Sequence, residues 1–287
     1  MSPDAPHGAL PRGVTLHVLN TGWASAPEWI LIRGGRMVSV RVPALVGLIH
    51  HPREGWGLFD TGYSLRVRAE TSRGVFWLYR ALAPMSVSAD GPVVDQLGRF
   101  GLTPDDIGWI VLSHFHADHL GGLFDFPRAR FIASEVAWND VRSRRGLRAL
   151  RYGFVPALVP PEFEERLTLI GDFPGRELAP FGETHDLFGD GTVVLCNVPG
   201  HARGQICAHV ETGDGPVLLA ADGCWLGRSY RENRAPHWIT GAFVDSTTEA
   251  RRTVSVLHDF AAAHPETPIV PSHSPEAHER FVRRRGP

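Results

Sequence analysis

Apolar residues fall in short runs separated by turns rich in Gly, Pro and charge, and the runs follow two different periods. Early in the chain, "GVTLHVL" (13–19), "PALVGLIHH" (43–51) and "GWGLFDTG" (55–62) read as strands. "SRGVFWLYRALAPM" (72–85) predicts a helix that ends at Pro84, since proline disfavours helical backbone just before it. In "VVDQLGRFGL" (93–102), Val93, Leu97 and Phe100 share one face of an amphipathic helix. Strands follow at "GWIVLSH" (108–114) and "ARFIAS" (129–134), then at "RLTLI" (166–170), "TVVLCNV" (192–198), "GQICAHVE" (204–211) and "PVLLAAD" (216–222). The turn-like "TGDG" parts the last two. "TEARRTVSVLHDFAAAH" (248–264) predicts a long helix with Val254, Leu257 and Ala261 on one face, and "PIVPSH" (268–273) a last short strand. Two groups of strands, each with helices, predict an α/β fold of two sheets with helices outside. No linker composition divides the 287 residues, so a single domain over 1–287 is expected, with 1–13 as a flexible tail.

Composition narrows the function classes. The chain is 43% hydrophobic and 21% charged, with a formal charge of -2. That balance gives no electrostatic case for nucleic acid or an anionic membrane. No apolar run reaches the length of a membrane span, and "MSPDAPHGALPRG" lacks the apolar core of a signal peptide, so a cytoplasmic location is expected. All 29 basic residues are arginine, which excludes a lysine Schiff base and a P-loop lysine. Cys196, Cys207 and Cys224 form no Cys-x-x-Cys pair and suggest neither a disulfide framework nor a zinc ribbon.

The chemistry concentrates in "SHFHADH". His114, His116, Asp118 and His119 follow directly on an apolar strand. Imidazole nitrogen and carboxylate oxygen are usual ligands for Zn²⁺ and related cations. His114 and His116 are two apart, so on an extended segment both point the same way. Asp118 and His119 come as the chain turns and can face a second cation. Other strand ends offer His201 in "NVPGHARG", Asp222 in "LLAADG" and His273 in "IVPSHSP". A carboxylate such as Asp222 can bridge two cations roughly 3.5–4 Å apart, and a water shared between them becomes a nucleophile near neutral pH.

"SHFHADHLGG" resembles the His-x-His-x-Asp-His motif of the metallo-β-lactamase superfamily. "LFDTG", with Asp60, resembles that family's early Asp-Thr-Gly turn, and "HDLFGDGTVVLCNVPGH", "AADG" and "PSH" match its later motifs in order. The resemblance implies a four-layer αββα sandwich with a metal site at one edge of its two sheets. It implies two divalent ions per chain, zinc first, with Mn²⁺, Fe²⁺ or Co²⁺ as alternatives. By the same resemblance His114, His116 and His201 hold one ion, Asp118, His119 and His273 the other, and Asp222 bridges. Asp118 would also carry the catalytic proton, while Asp60 would orient a ligand from behind.

Within the superfamily the N-terminal half is most similar to the N-acyl-homoserine lactonases, implying a hydrolase that opens a lactone or ester of a small molecule. Those lactonases carry a tyrosine three residues after the bridging Asp, where this chain has Trp225, and a second histidine where it has Gln205. Trp23, Trp225, Tyr230 and Trp238 are the candidates for a substrate pocket, and the aromatic "VFWLYRAL" is either a pocket wall, a core helix or a dimer contact. A homodimer is one option. Thioesterase, phosphodiesterase and β-lactamase chemistry stay open on the same ligands, as does a non-catalytic metal-binding protein.

Overall fold

In this computed structural model, residues 13–283 are described. Apart from Gly13, the tail expected over 1–13 lies outside them. Twelve strands are assigned among these residues: β1 (Thr15–Pro27), β2 (Ser39–His51), β3 (Gly55–Phe59), β4 (Met85–Val87), β5 (Ile107–Leu112), β6 (Arg130–Ser134), β7 (Leu167–Ile170), β8 (His185–Asp186), β9 (Val193–Asn197), β10 (Ile206–Thr212), β11 (Gly215–Ala221) and β12 (Ile269–Pro271). The larger sheet runs β4-β1-β2-β3-β5-β6-β7 and the smaller β12-β11-β10-β9-β8.

The apolar runs are continuous because the central strands are covered on both faces. On β2, Ile49 faces inward and packs with Val111, Leu195, Ile206 and Ala208 between the sheets. Its neighbour Leu48 faces outward and packs with Ile110, Phe131 and residues of the covering helices such as Leu120 and Trp138. The outer face of the smaller sheet, with Cys196, Cys207 and Leu218, lies under Val254, Leu257 and Phe260 of the helix Thr247–Ala263. The result is the expected αββα order of layers. Fully burying a side chain such as Leu257 contributes about 1.5–3 kcal/mol.

The helix Thr247–Ala263 starts where the Ser246 side chain accepts a hydrogen bond from Glu249 N. Val254 and Leu257 are buried as their spacing predicts, and Phe260 rather than Ala261 completes the face. Two other helices are shorter than predicted. The 72–85 stretch divides into a 3₁₀ turn, Gly74–Phe76, and a short helix, Trp77–Leu82, followed by β4. No residue of Trp77–Leu82 is fully buried, so it is not a core helix. Residues 93–102 begin as a helix, Val93–Gln96, and tighten to 3₁₀ over Leu97–Phe100 before Gly101, whose φ of 70° stops it.

Strand direction positions the functional edge. β3 and β5 are parallel, and so are β11 and β12. β9 is antiparallel to β10, which is antiparallel to β11, so β9 and β11 run the same way. The residues just past β3, β5, β9, β11 and β12 therefore emerge together. Backbone bonds tie the two sheets there: Leu45 N donates to Ser272 O and Ile206 N donates to Ser113 O.

Candidate metal centre

All seven ligand candidates meet at this edge. The ligand atoms of His114, His116 and His201 lie within 4.8 Å of one another, as do those of Asp118, His119 and His273. Asp222 groups with His114 and His119, one from each set. Its Oδ2 is 3.1 Å from His201 Nε2 and 3.3 Å from His273 Nε2, and its Oδ1 is 3.4 Å from His119 Nε2. His201 Nε2 is 2.8 Å from His116 Nδ1, and His273 Nε2 is 3.3 Å from Asp118 Oδ2. His114, His119, His201, Asp222 and His273 are buried, while His116 and Asp118 are partly exposed and mark the open side.

The backs of the candidate ligands are held. His119 Nδ1–H donates to Asp60 Oδ2 at 2.8 Å. Ser113 N donates to Asp60 Oδ1 at 2.8 Å, and Ser113 Oγ donates to Asp60 Oδ2 at 2.7 Å. Ser113 Oγ in turn accepts from His114 Nδ1, 2.9 Å away. One carboxylate thus holds the Nδ1 side of two histidines and turns both Nε2 atoms into the site. His273 Nδ1 donates to Pro43 O at 2.7 Å. The Asp-Thr-Gly turn adds a second hold, because Thr61 N donates to His119 O at 2.7 Å. Gly62 is required in that turn: its φ is 67°, and a Cβ would sit 2.1 Å from Thr21 Oγ1. Asp60 itself has φ 63° and Ala221, just before Asp222, φ 47°, so two backbones beside the site are left-handed.

Electrostatics divide the imidazoles. Burial pushes His116 down to about 3, helped by His201. Burial likewise brings His201 down to about 4 against the pull of Asp222. Burial and the neighbouring imidazoles also lower His114 well below the ordinary histidine value. Burial opposes a proton on His273 too, yet Asp222 and Asp118 raise it to about 10. Burial would raise the Asp118 carboxyl, but His119 and His273 hold it below the usual carboxylate range. Three nitrogens are therefore bare, and His119 and His273 carry protons between carboxylates that an incoming cation would displace. His114 Nε2 and Asp222 Oδ1 are buried without a hydrogen-bond partner. Unpartnered buried donors and acceptors of this kind are costly unless something binds them, so the donor set fits a divalent metal centre.

The superfamily's sequence profile matches residues 40–273. The chain belongs to the metallo-beta-lactamase superfamily. Among curated superfamily relatives, the N-acyl homoserine lactonase AttM of Rhizobium radiobacter is 27% identical across 94% of this chain and 97% of that one. The N-acyl homoserine lactonase AiiB of Agrobacterium fabrum is 27% identical across 87% and 90%. A solved N-acyl homoserine lactone hydrolase, with the product N-hexanoyl-L-homoserine at its catalytic metal centre, superposes with a TM-score of 0.71. It is 18% identical and covers 92% of this chain and 95% of its own, which supports the fold.

The pocket candidates spread out. Trp225 reaches the ligands: its Nε1–H donates to Asp222 Oδ2 at 3.0 Å and its ring meets His201 edge-on, centroids 5.4 Å apart. Tyr230 packs instead against the outer cluster around Cys224 and Leu257, because its helix, Gly227–Arg231, turns toward the helix Thr247–Ala263. Trp23 packs edge-on against His278, with the Arg41 guanidinium over its ring. Trp238 is 72% exposed beside His237. Cys224 is a buried core thiol. Gln205, at the position of the lactonases' second histidine, is buried and donates to Val198 O at 3.2 Å, closing the loop that carries His201.

Sequence reasoning missed Ser113 and two tyrosines. Tyr79 Oη donates to Asp118 Oδ1 at 3.3 Å, and burial and Asp118 push its phenol well up, so it stays protonated. Tyr63 is buried, and burial and the same carboxylate raise it as well. Ser113 opens the quoted motif, and its position between strand and first histidine was the available signal. Tyr79 lies in an apolar stretch with nothing local to mark it.

Proposed function

We propose that the protein is a binuclear metal hydrolase that opens a lactone, N-acyl-homoserine lactones being the first substrates to test. The observation that carries this is the convergence of His114/His116/His201 and Asp118/His119/His273 on a shared Asp222, open to solvent at Asp118. Divalent cations bound there, zinc first, would acidify a water and polarise the carbonyl. The chain's own residues do the rest. Asp118 is unprotonated and on the open side, so it can accept the proton of the attacking water and return it to the alkoxide that leaves as the ring opens. Tyr79 holds the Asp118 carboxylate from the other oxygen, and Asp60 keeps His119 and His114 aimed. The lactone substrate is supported by the two lactonase relatives matched over nearly their whole length.

No helix among the described residues is long and apolar enough to cross a membrane. A reducing cytoplasm suits the three free, buried cysteines.

The test is elemental analysis of protein purified without chelator, followed by turnover of lactones, thioesters, phosphodiesters and β-lactams with one metal-loaded preparation. Two metals per chain and preferred lactone turnover are expected. At most one metal at full occupancy, or faster turnover of another substrate class, would overturn this function.

A further inference from the structure

The Asp222 carboxylate sits between the two ligand groups, and its rotation decides whether it faces both. Three imidazoles surround it, with Nε2 of His119, His201 and His273 at 3.1–3.4 Å, and the Trp225 indole donates a hydrogen bond to Oδ2 at 3.0 Å. The three imidazoles are themselves candidate ligands. The indole N–H is different. It is a donor without acceptor capacity, so it cannot serve as a ligand and is left to hold Oδ2.

The indole is also firmly backed. Trp225 packs against the cluster of Leu31, Ile32, Val42 and Leu226. Buried Glu28 ties that arm down, accepting from Arg36 Nε at 2.9 Å and from Arg228 Nη1 at 3.2 Å. The donor therefore comes from a fixed wall.

We propose that Trp225 is a positioning residue of the metal centre, its indole N–H fixing the rotation of Asp222 so that one carboxylate serves both ligand groups. This rests on the metal-centre function above. It also gives the tryptophan a task other than donating to substrate: its N–H is committed to Asp222, so the substrate carbonyl must be held by other groups.

Trp225→Phe keeps an aromatic wall and removes the N–H. Zn²⁺ affinity, measured by chelator competition, should fall about 10–100-fold for at least one of the two ions, as when an outer hydrogen bond to a ligand is lost. The visible spectrum of the Co²⁺-loaded protein should shift, which a loss of packing alone would not cause. In the unaltered protein, the assigned Trp225 indole N–H resonance should lie downfield with Zn²⁺ bound, as for a bond to a carboxylate. That measurement decides the matter even where the variant fails to fold. Affinity within about threefold and an unchanged cobalt spectrum, or an indole signal at the position of free indole, would overturn the role of Trp225 and leave the metal centre standing. Failure of the unaltered protein to bind Zn²⁺ or Co²⁺ would instead overturn the metal centre.

Discussion

Asp60→Asn isolates one link between the Asp-Thr-Gly turn and the metal ligands. The backbone at Asp60 has φ 63°, where asparagine is as comfortable as aspartate, so the exchange adds no backbone strain. The carboxylate accepts three bonds, from Ser113 N, Ser113 Oγ and His119 Nδ1, at 2.7–2.8 Å. An amide cannot accept all three. With its NH₂ at the Oδ2 position it faces His119 Nδ1–H, and flipped it faces the Ser113 backbone N–H. The relief open to His119 is to move its proton to Nε2, which removes that nitrogen as a ligand. A buried donor left unpaired costs about 1–3 kcal/mol. Loss of an outer partner typically costs about 10–100-fold in metal affinity, or about 1.4–2.7 kcal/mol, so the two routes agree. The assay is Zn²⁺ affinity by chelator competition, beside a urea unfolding curve of the metal-free protein. Unchanged affinity with an unchanged unfolding midpoint would refute the idea that Asp60 aims His119.

Four further outcomes are expected. Asp118→Asn should lower kcat at least about 10²-fold, and near-normal turnover with both metals retained would remove Asp118 from proton transfer. Tyr79→Phe loses one bond to a carboxylate at a long 3.3 Å, so kcat should drop about tenfold with metal content and KM little changed; an unaltered kcat would show that bond to be idle. Gly200→Ala places a Cβ 2.0 Å from Ala250 N at a φ of 121°, so it should displace the His201 loop and cost about 2 kcal/mol or more, which a wild-type unfolding midpoint would contradict. In metal-free protein, His116 and His201 titrate near 3 and 4, below the ordinary 6.5, so the stability they provide is present above 6.5 and lost as pH falls toward those values. His273, raised to about 10, works the other way: its contribution is full below 6.5 and disappears as pH rises to about 10. Urea midpoints should therefore peak near neutral pH, and a flat profile from pH 4 to 9 would rule this out.

The sequence by itself determined the candidate ligand types, their order and the alternation of strands and helices. Four ligands lie within "HFHADH", where local spacing sets what they can do together, and uninterrupted runs such as "IGWIVL" require cover on both faces. Asp60, His201, Asp222 and His273 were legible because each follows a strand at a marked turn. Tertiary structure decided what has no local signature. Parallel pairing of β3 with β5 and of β11 with β12 is what gathers those turns at one edge. The 72–85 stretch reads as one apolar helix, yet a turn at Gly74–Phe76 and a half-exposed helix bring Tyr79 to Asp118. Trp225 and Tyr230 are five residues apart and both are pocket candidates from sequence, but the helix Gly227–Arg231 carries Tyr230 into the outer core, while Trp225 stays with Asp222. Hydrogen bonds across 39 or 53 positions, Tyr79 to Asp118 and Asp60 to Ser113, depend on how layers pack, and no window of the chain encodes that distance.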